Sequence, residues 1–159
     1  MILRSVLFCS FLTFLSSGCK DAAPQIKDGE LTWLTIDQLE KIKDLGGKKV
    51  LIDVYTDWCG WCKVMDKKTF TDPGLIDFLN KNFLVVKFNA EQKEPVKFKG
   101  VEYVWQPMGR NGINNLGIEL LQGNMGYPSL VFLDSGLKTI KVSPGYKTPG
   151  QLMEELKTL

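Results

Sequence analysis

The stretch Tyr55-Thr-Asp-Trp-Cys-Gly-Trp-Cys-Lys63 decides how this chain is interpreted. It contains two cysteines, Cys59 and Cys62, separated by two residues. It continues from Val50-Leu-Ile-Asp-Val-Tyr55, a nearly continuous apolar and β-branched run that is typical of a strand covered on both faces. We expect a helix to begin near Cys59. The two cysteines are therefore predicted to lie at a strand-to-helix junction.

This position gives the cysteines a definite chemistry. A sulfur in the first turn of a helix faces unpaired backbone N–H groups and the positive end of the helix dipole, and both stabilise a thiolate at Cys59. Cys62 lies one turn further on, within reach of Cys59, so a mixed disulfide on Cys59 can be resolved inside the chain. Gly60 allows close approach, and Trp58 and Trp61 flank the pair with flat apolar surface.

A carboxylate lies in the middle of the preceding apolar run. Burial of Asp53 would desolvate the carboxylate, raise its pKa toward neutrality and make it a usable base. The sequence also allows a second interpretation, in which Asp53 faces solvent on an edge strand.

The rest of the chain alternates between strand and helix signals. Further strands are predicted at Leu31–Leu34, Phe83–Phe88, Ser129–Leu133 and Thr139–Val142. Capping signals predict helices from Thr35 to about Leu45, from Asp72-Pro73 to about Asn80, and from Thr148 onward. This order predicts an α/β fold, with helices on both faces of a central mixed sheet.

One segment, at about residues 90–126, does not fit the alternation. Val96–Val104 alternates around Lys99-Gly100 and predicts a small hairpin, and Asn111–Gln122 predicts a helix. Together they indicate a hairpin-and-helix insertion ahead of the Ser129–Leu133 strand.

The motif Asp-Trp-Cys-Gly-Trp-Cys-Lys, residues 57–63, resembles the thioredoxin superfamily. The longer string to Phe70 is similar to its exported, thioredoxin-like bacterial lipoprotein branch. The resemblance covers about residues 31–159 outside the insertion and implies a thioredoxin-like fold. It extends to three further places: Asp53, six residues before Cys59; Lys87, in a predicted strand; and Tyr127-Pro128, where the family has its cis-proline.

The resemblance implies roles for these residues. Cys59 would be the exposed nucleophile and Cys62 the buried resolving thiol, with Asp53 accepting the proton of Cys62. Pro128 would present backbone to the substrate, and the redox-active disulfide would serve in place of any bound cofactor or metal. The implied substrate surface and supporting residues are Trp58, Gly60, Trp61, Tyr127 and Lys87.

Composition excludes several other chemistries. The chain has no histidine, which excludes Ser-His-Asp and Cys-His catalysis and every metal site that needs imidazole. Its formal net charge is +2, and basic and acidic residues are interleaved, which does not indicate a nucleic-acid partner.

Other interpretations of the same residues stay open. The cysteines could bind copper(I) together with Met65, Met108 or Met125, since thiolates and thioethers are soft ligands. They could form a structural disulfide, or be incidental to a binding module that uses the insertion and the tryptophans. Lys87 could be an exposed strand lysine, Tyr127 a turn residue, and Arg110 either solvated or facing the substrate.

The N-terminus predicts export. Residues 1–18 place Arg4 before an apolar run of about ten residues, shorter than the ~20 that a membrane helix needs, and so predict a signal peptide. Cys19 follows Ser16-Ser17-Gly18, which resembles a lipobox and implies a lipidated Cys19, although ordinary cleavage after Gly18 is an alternative. Residues 19–30 are polar and predict a tether to the domain at residues 31–159.

The combined prediction is a periplasmic or cell-envelope thiol–disulfide oxidoreductase with a lipid anchor and a monomeric domain. Its substrates would be protein thiols and disulfides. No histidine lies between the cysteines to stabilise a strongly oxidising thiolate, which favours a reductase or isomerase. Such an enzyme requires an electron donor, for which a membrane protein is predicted.

Overall fold

The computed structural model describes residues 29–109 and 111–159. The predicted signal peptide at residues 1–18, lipidation at Cys19, the tether up to residue 28 and the side chain of Arg110 lie outside these described residues. Within the described ranges, no helix is both long enough and apolar enough to cross a membrane.

The elements follow one another in a largely alternating order. They are α1 (Ile36–Lys41), β1 (Lys49–Tyr55), α2 (Gly60–Lys68), α3 (Pro73–Asn82), β2 (Phe83–Asn89), β3 (Val96–Phe98), β4 (Val101–Tyr103), β5 (Trp105–Gln106), β6 (Ile113–Asn114), α4 (Asn115–Leu120), β7 (Ser129–Leu133), β8 (Thr139–Pro144) and α5 (Pro149–Leu156).

Four strands form the central sheet, in the order β2-β1-β7-β8. β2 is parallel to β1, whereas β7 is antiparallel to both β1 and β8. The predicted mixed sheet is therefore confirmed. β1 is a central strand, and its five middle residues are all buried because both faces of the sheet are covered.

Two apolar cores lie on opposite faces of this sheet, because successive strand residues point to opposite sides. On one face α1, α4 and β3 pack against the strands through a core that includes Leu39, Ile52, Phe98 and Leu116. On the other face α2, α3 and α5 pack through a core that includes Leu51, Met65, Leu79 and Leu152. Helices on both faces, as predicted, are confirmed.

The three helix starts predicted from capping signals are correct because each is set by a local cap. Thr35 and Thr148 each form a capping box with the glutamine three residues later, Gln38 and Gln151. The Asp72 side chain accepts a hydrogen bond from the Leu75 amide, and a proline occupies the first turn of α3.

Two predictions at the start of the domain are wrong. Leu31–Leu34 is not a strand: only Leu34 forms a bridge, to Val86 of β2. α1 ends at Lys41 instead of near Leu45, because Ile42 adopts an extended conformation and Asp44 Oδ1 accepts a hydrogen bond from Gly46 in a tight turn.

The insertion lies between β2 and β7, as predicted. Its hairpin is confirmed as β3 and β4, around Lys99-Gly100. Its helix is shorter than the predicted Asn111–Gln122. It begins only at Asn115 because the two preceding residues pair with β5 and the side chain of Asn114 caps the helix.

Candidate functional site

Cys59 and Cys62 are joined by a disulfide at the start of α2. Cys59 is the N-cap, and its Sγ accepts a hydrogen bond from the Cys62 amide over 3.1 Å. The predicted strand-to-helix junction is therefore confirmed. The helix terminus directs an amide at the sulfur of Cys59, as stabilisation of a thiolate requires.

The exposure of the pair differs from the prediction. Cys59, expected to be exposed, is only 4% exposed, hardly more than Cys62 at 2%. The bond to Cys62 holds its sulfur against the first turn of the helix. The accessible surface belongs instead to the flanking indoles, Trp58 at 61% and Trp61 at 62%.

Asp53 lies in the sheet interior, so the edge-strand interpretation is wrong. It is 1% exposed on β1, and its carboxylate forms an ion pair with Lys87, whose Nζ lies 3.0 Å from Asp53 Oδ2. Burial raises the pKa of Asp53 from 3.8 to about 6, and the nearby Lys87 ammonium partly opposes the increase. Asp53 therefore has the acidity of a base that works near neutral pH.

Lys87 lies between two carboxylates. It is opposite Asp53 in the register of β1 and β2, with its Nζ 3.0 Å from Asp53 Oδ2, and it also donates a hydrogen bond to Asp66. Burial lowers the pKa of Lys87, but the two carboxylates outweigh this effect and the pKa lies above its ordinary value. The Nζ also lies 5.0 Å from the ring centroids of Trp33 and Tyr55. Lys87 is thus a half-buried cation, not a freely exposed strand lysine.

Asp66 is a site residue that the sequence analysis missed. It lies on α2, four residues after Cys62, and its side chain is 43% exposed. The spacing of four residues was the available signal, since it places two side chains on the same face of a helix. Through Lys87, Asp66 connects the buried Asp53 to the protein surface.

Tyr127 and Pro128 form a cis peptide bond immediately before β7. Pro128 is buried, and the half-buried Tyr127 ring packs edge-on against Trp58 with a centroid distance of 6.0 Å. Burial, followed by the charge of Glu91, raises the pKa of Tyr127 to about 12. Tyr127 therefore contributes an uncharged aromatic surface beside the cysteine segment. Trp61 packs separately, on Tyr146 with a centroid distance of 5.4 Å.

Gly60 has open space around it. A Cβ built at this position would have no described atom within 4 Å, so no close approach within the described chain requires a glycine there. The open space is next to the Cys59–Cys62 disulfide.

The three methionines considered as copper ligands differ in burial. Met65 is fully buried in the core beside α2, whereas Met108 and Met125 are 49% and 41% exposed. Within residues 29–109 and 111–159, no group of three cysteine or acidic side chains could hold a metal ion.

Known proteins with this architecture were found by sequence and by structure. A family model described as a thioredoxin-like domain matches residues 37–159. A thioredoxin from Thermus thermophilus superposes with a TM-score of 0.59 at 18% identity, covering 81% of this chain and 86% of that one. A structure described as DsbH oxidoreductase superposes with a TM-score of 0.57 at 18% identity, covering 87% of this chain and 92% of that one. At such identities the two structures support the fold alone.

Curated relatives match over shorter segments. The thiol:disulfide interchange protein DsbD of Haemophilus ducreyi is 40% identical over 58 residues, which is 36% of this chain and 10% of that protein. The protein of the same name from Vibrio vulnificus is 28% identical over 94 residues, covering 55% of this chain and 16% of that protein. This chain therefore spans only a small part of the length of these relatives.

Proposed function

Since the chain belongs to the thioredoxin-like domain family, we propose that it is a thiol–disulfide oxidoreductase that cycles Cys59 and Cys62 between dithiol and disulfide. The observation that carries the proposal is the disulfide at the start of α2 together with Asp53, a buried carboxyl whose pKa of about 6 suits a base. The DsbD relatives, named as thiol:disulfide interchange proteins, support the same class of reaction.

The reaction balances without a bound cofactor. The Cys59 thiolate attacks one sulfur of a partner's disulfide, the S–S bond breaks, and the released partner thiolate takes up a proton. Cys62 then transfers its proton to Asp53 and attacks the Cys59 sulfur. The mixed S–S bond breaks, the second partner sulfur leaves as a thiolate that takes up a proton, and Asp53 returns its proton to water. The partner disulfide has been reduced by two electrons, and Cys59 and Cys62 have been oxidised to the disulfide.

In this cycle the protein reduces or isomerises the disulfides of other proteins. Trp61 and Gly60 between the cysteines supply no cation that would stabilise the Cys59 thiolate and make the disulfide a strong oxidant. Repeated reduction consumes two electrons in each turn, so the cycle requires a dithiol donor protein. We assign that role to a membrane protein.

The cell envelope is the proposed location. The signal-like residues 1–18 and the lipobox-like position of Cys19 support export and a lipid anchor. Metabolic labelling with a radioactive fatty acid tests the anchor, with Cys19→Ser as the control. Label that persists in Cys19→Ser would refute the assignment.

The redox equilibrium against glutathione buffers tests the oxidoreductase proposal directly. Cys9→Ser and Cys19→Ser in the same chain leave only Cys59 and Cys62 to be alkylated. We expect one reversible two-electron transition at or below about −200 mV, whereas a value near −120 mV would indicate an oxidant. The absence of a linked transition would refute the proposal.

A binding module is the competing function, and the two exposed indoles of Trp58 and Trp61 are the observation that favours it. Substitution of single cysteines separates the two functions. Cys62→Ser should accumulate a mixed disulfide with partner proteins, because Cys59 can still attack the partner disulfide but no resolving thiol in the same chain can break the mixed disulfide. Cys59→Ser lacks the attacking thiol and should form little mixed disulfide. Equal partner binding by both variants, with no mixed disulfide, would favour the binding module. Stoichiometric Cu(I) uptake lost in either variant would instead favour metal handling.

A further inference from the structure

One carboxylate connects the insertion to the cysteine segment. Glu91 Oε1 accepts a hydrogen bond from Trp58 Nε1 over 3.0 Å and another from Asn111 Nδ2 over 3.2 Å. Trp58 directly precedes Cys59, whereas Asn111 lies in the turn between β5 and β6. The insertion therefore reaches the edge of the disulfide site through a specific contact.

The part of the insertion that makes this contact is firmly held at its base. We call described residues 105–109 and 111–114 the β5–β6 arm. In its turn, Gly112 has a φ of +117°, and a Cβ there would lie 2.1 Å from the Trp105 ring and 2.8 Å from the Gln106 carbonyl oxygen. At its end Asn114 is fully buried and donates a hydrogen bond to the Glu94 carbonyl. The arm thus presents Asn111 to Glu91 from a fixed position.

Two carboxylates give the edge of the site a negative character. Asp57 accepts a hydrogen bond from the side-chain amide of Asn89 over 3.0 Å. Glu91 accepts hydrogen bonds from the Trp58 indole and from the side-chain amide of Asn111. All of these donors are neutral, and neither carboxylate forms an ion pair with a cation in the described part of the chain. Trp58, which donates to Glu91, adds exposed apolar surface, and Met108 is an exposed apolar side chain of the β5–β6 arm.

We propose that the β5–β6 arm, joined to Trp58 through Asn111 and Glu91, selects the substrate of the disulfide site. The occupant is a cysteine-bearing segment of a partner protein with a lysine or arginine beside the reacting cysteine. Its basic side chain meets Asp57 and Glu91, and its apolar neighbours pack on Trp58 and Met108. This inference rests on the proposed oxidoreductase function. Glu91 contacts the substrate, and Asn111 is a positioning residue that acts through Glu91.

Two synthetic disulfide peptides test the selection, identical except for lysine or glutamate beside the cysteine. With the full-length reduced protein we expect the lysine peptide to be reduced with a kcat/KM about fivefold higher, the size expected of partly exposed charge pairs. The preference should decrease as salt is added. Equal kcat/KM for the two peptides would overturn the proposal.

Variants separate the charge of Glu91 from the position of the arm. Glu91→Gln keeps an acceptor for both donors but removes the charge, so the lysine preference should fall to about twofold. Asn111→Ala removes the bond that positions Glu91. It should raise KM about threefold for the lysine peptide, with little change in kcat and little change in KM for the glutamate peptide. Asn82→Ala removes an exposed amide at the end of α3 and is the matched control. Kinetics of Glu91→Gln and Asn111→Ala equal to those of Asn82→Ala would overturn the proposal.

The glutathione equilibrium distinguishes this failure from failure of the proposed function. If the wild-type chain shows a normal two-electron transition but no peptide preference, only the selection proposal is refuted. If the chain shows no transition, both the oxidoreductase proposal and the selection proposal are refuted.

Discussion

The Asp53 carboxylate is the residue at which the chemistry of the site and the stability of the fold oppose each other. Its pKa is higher in the folded chain, at about 6, than the 3.8 of an exposed aspartate. A carboxyl shifted in this direction destabilises the fold wherever it is ionised in both states. The penalty is fully present above about pH 6 and disappears as the pH falls below about 4.

Asp53→Asn should therefore stabilise the oxidised protein at pH 8. The pKa difference corresponds to a gain of about 3 kcal/mol in the free energy of unfolding, which should vanish near pH 3.5. Denaturant unfolding at the two pH values measures it. Asp77→Asn, at an exposed position of α3, is the control, with an expected change within about 0.5 kcal/mol. A destabilised Asp53→Asn at pH 8 would contradict the assigned pKa shift.

The same carboxyl should control the rate of resolution by Cys62. In the wild-type protein we expect this rate to rise with pH through an inflection near pH 6, as Asp53 ionises, and we expect Asp53→Asn to lose the inflection. Stopped-flow kinetics of the reduced protein with a disulfide substrate measure the profile.

Asp66→Asn should move that inflection to lower pH. The charge of Asp66 raises the pKa of Asp53, and its removal also leaves Lys87 to interact with Asp53 alone. Both effects favour the ionised form of Asp53. An inflection that stays in place or moves upward in Asp66→Asn would contradict the coupling of the three side chains.

At the scale of the elements, local caps determine where the helices begin. Thr148 Oγ1 accepts a hydrogen bond from the Gln151 amide, and the Gln151 side chain accepts one from the Thr148 amide. These bonds position α5, whose Leu152 and Leu156 are buried in the core beside α2. Both partners lie within four residues, which explains why the sequence alone predicted this helix.

Thr148→Ala should lower the free energy of unfolding by about 1 kcal/mol, because the N-terminal amides of α5 lose their side-chain acceptor. Thr148→Ser retains the hydroxyl and is the control. Chemical denaturation monitored by circular dichroism measures both variants. Equal losses in the two would show that the methyl group, and not the cap, stabilises this end of the helix.

Helix ends and short strands were predicted less well. α1 stops at Lys41 although its apolar spacing continues to Leu45, because the chain turns at Asp44 and Gly46 to enter β1. The position of that turn depends on where β1 lies in the sheet. A periodic pattern does not contain this information.

At the scale of the whole molecule, the insertion shares its core with the sheet. Val96, Phe98, Leu116 and Leu120 belong to the same buried cluster as Val50, Ile52 and Val54 of β1. Glu40 of α1 also accepts hydrogen bonds from the amides of Lys99 and Gly100 in the insertion's hairpin turn. We therefore expect the insertion to unfold together with the sheet.

Leu116→Ala should destabilise the entire domain by roughly 2–5 kcal/mol, the usual cost of a cavity at a fully buried leucine. Near-ultraviolet and far-ultraviolet circular dichroism should report one shared transition. Val101→Ala, at a position 52% exposed in the same insertion, is the control and should change little. A separate, earlier transition in Leu116→Ala would show that the insertion folds on its own.

The sequence by itself determined the features that depend on near neighbours. The two cysteines at a strand-to-helix junction, the carboxylate inside an apolar strand and the capped helix starts all follow from residues a few positions apart. Only the tertiary structure decided the burial of Cys59, the position of Lys87 between Asp53 and Asp66, and the contact of Asn111 with Glu91 beside Trp58. These features arise where segments distant in the chain meet, and their geometry is set by strand register and core packing, which no local pattern specifies.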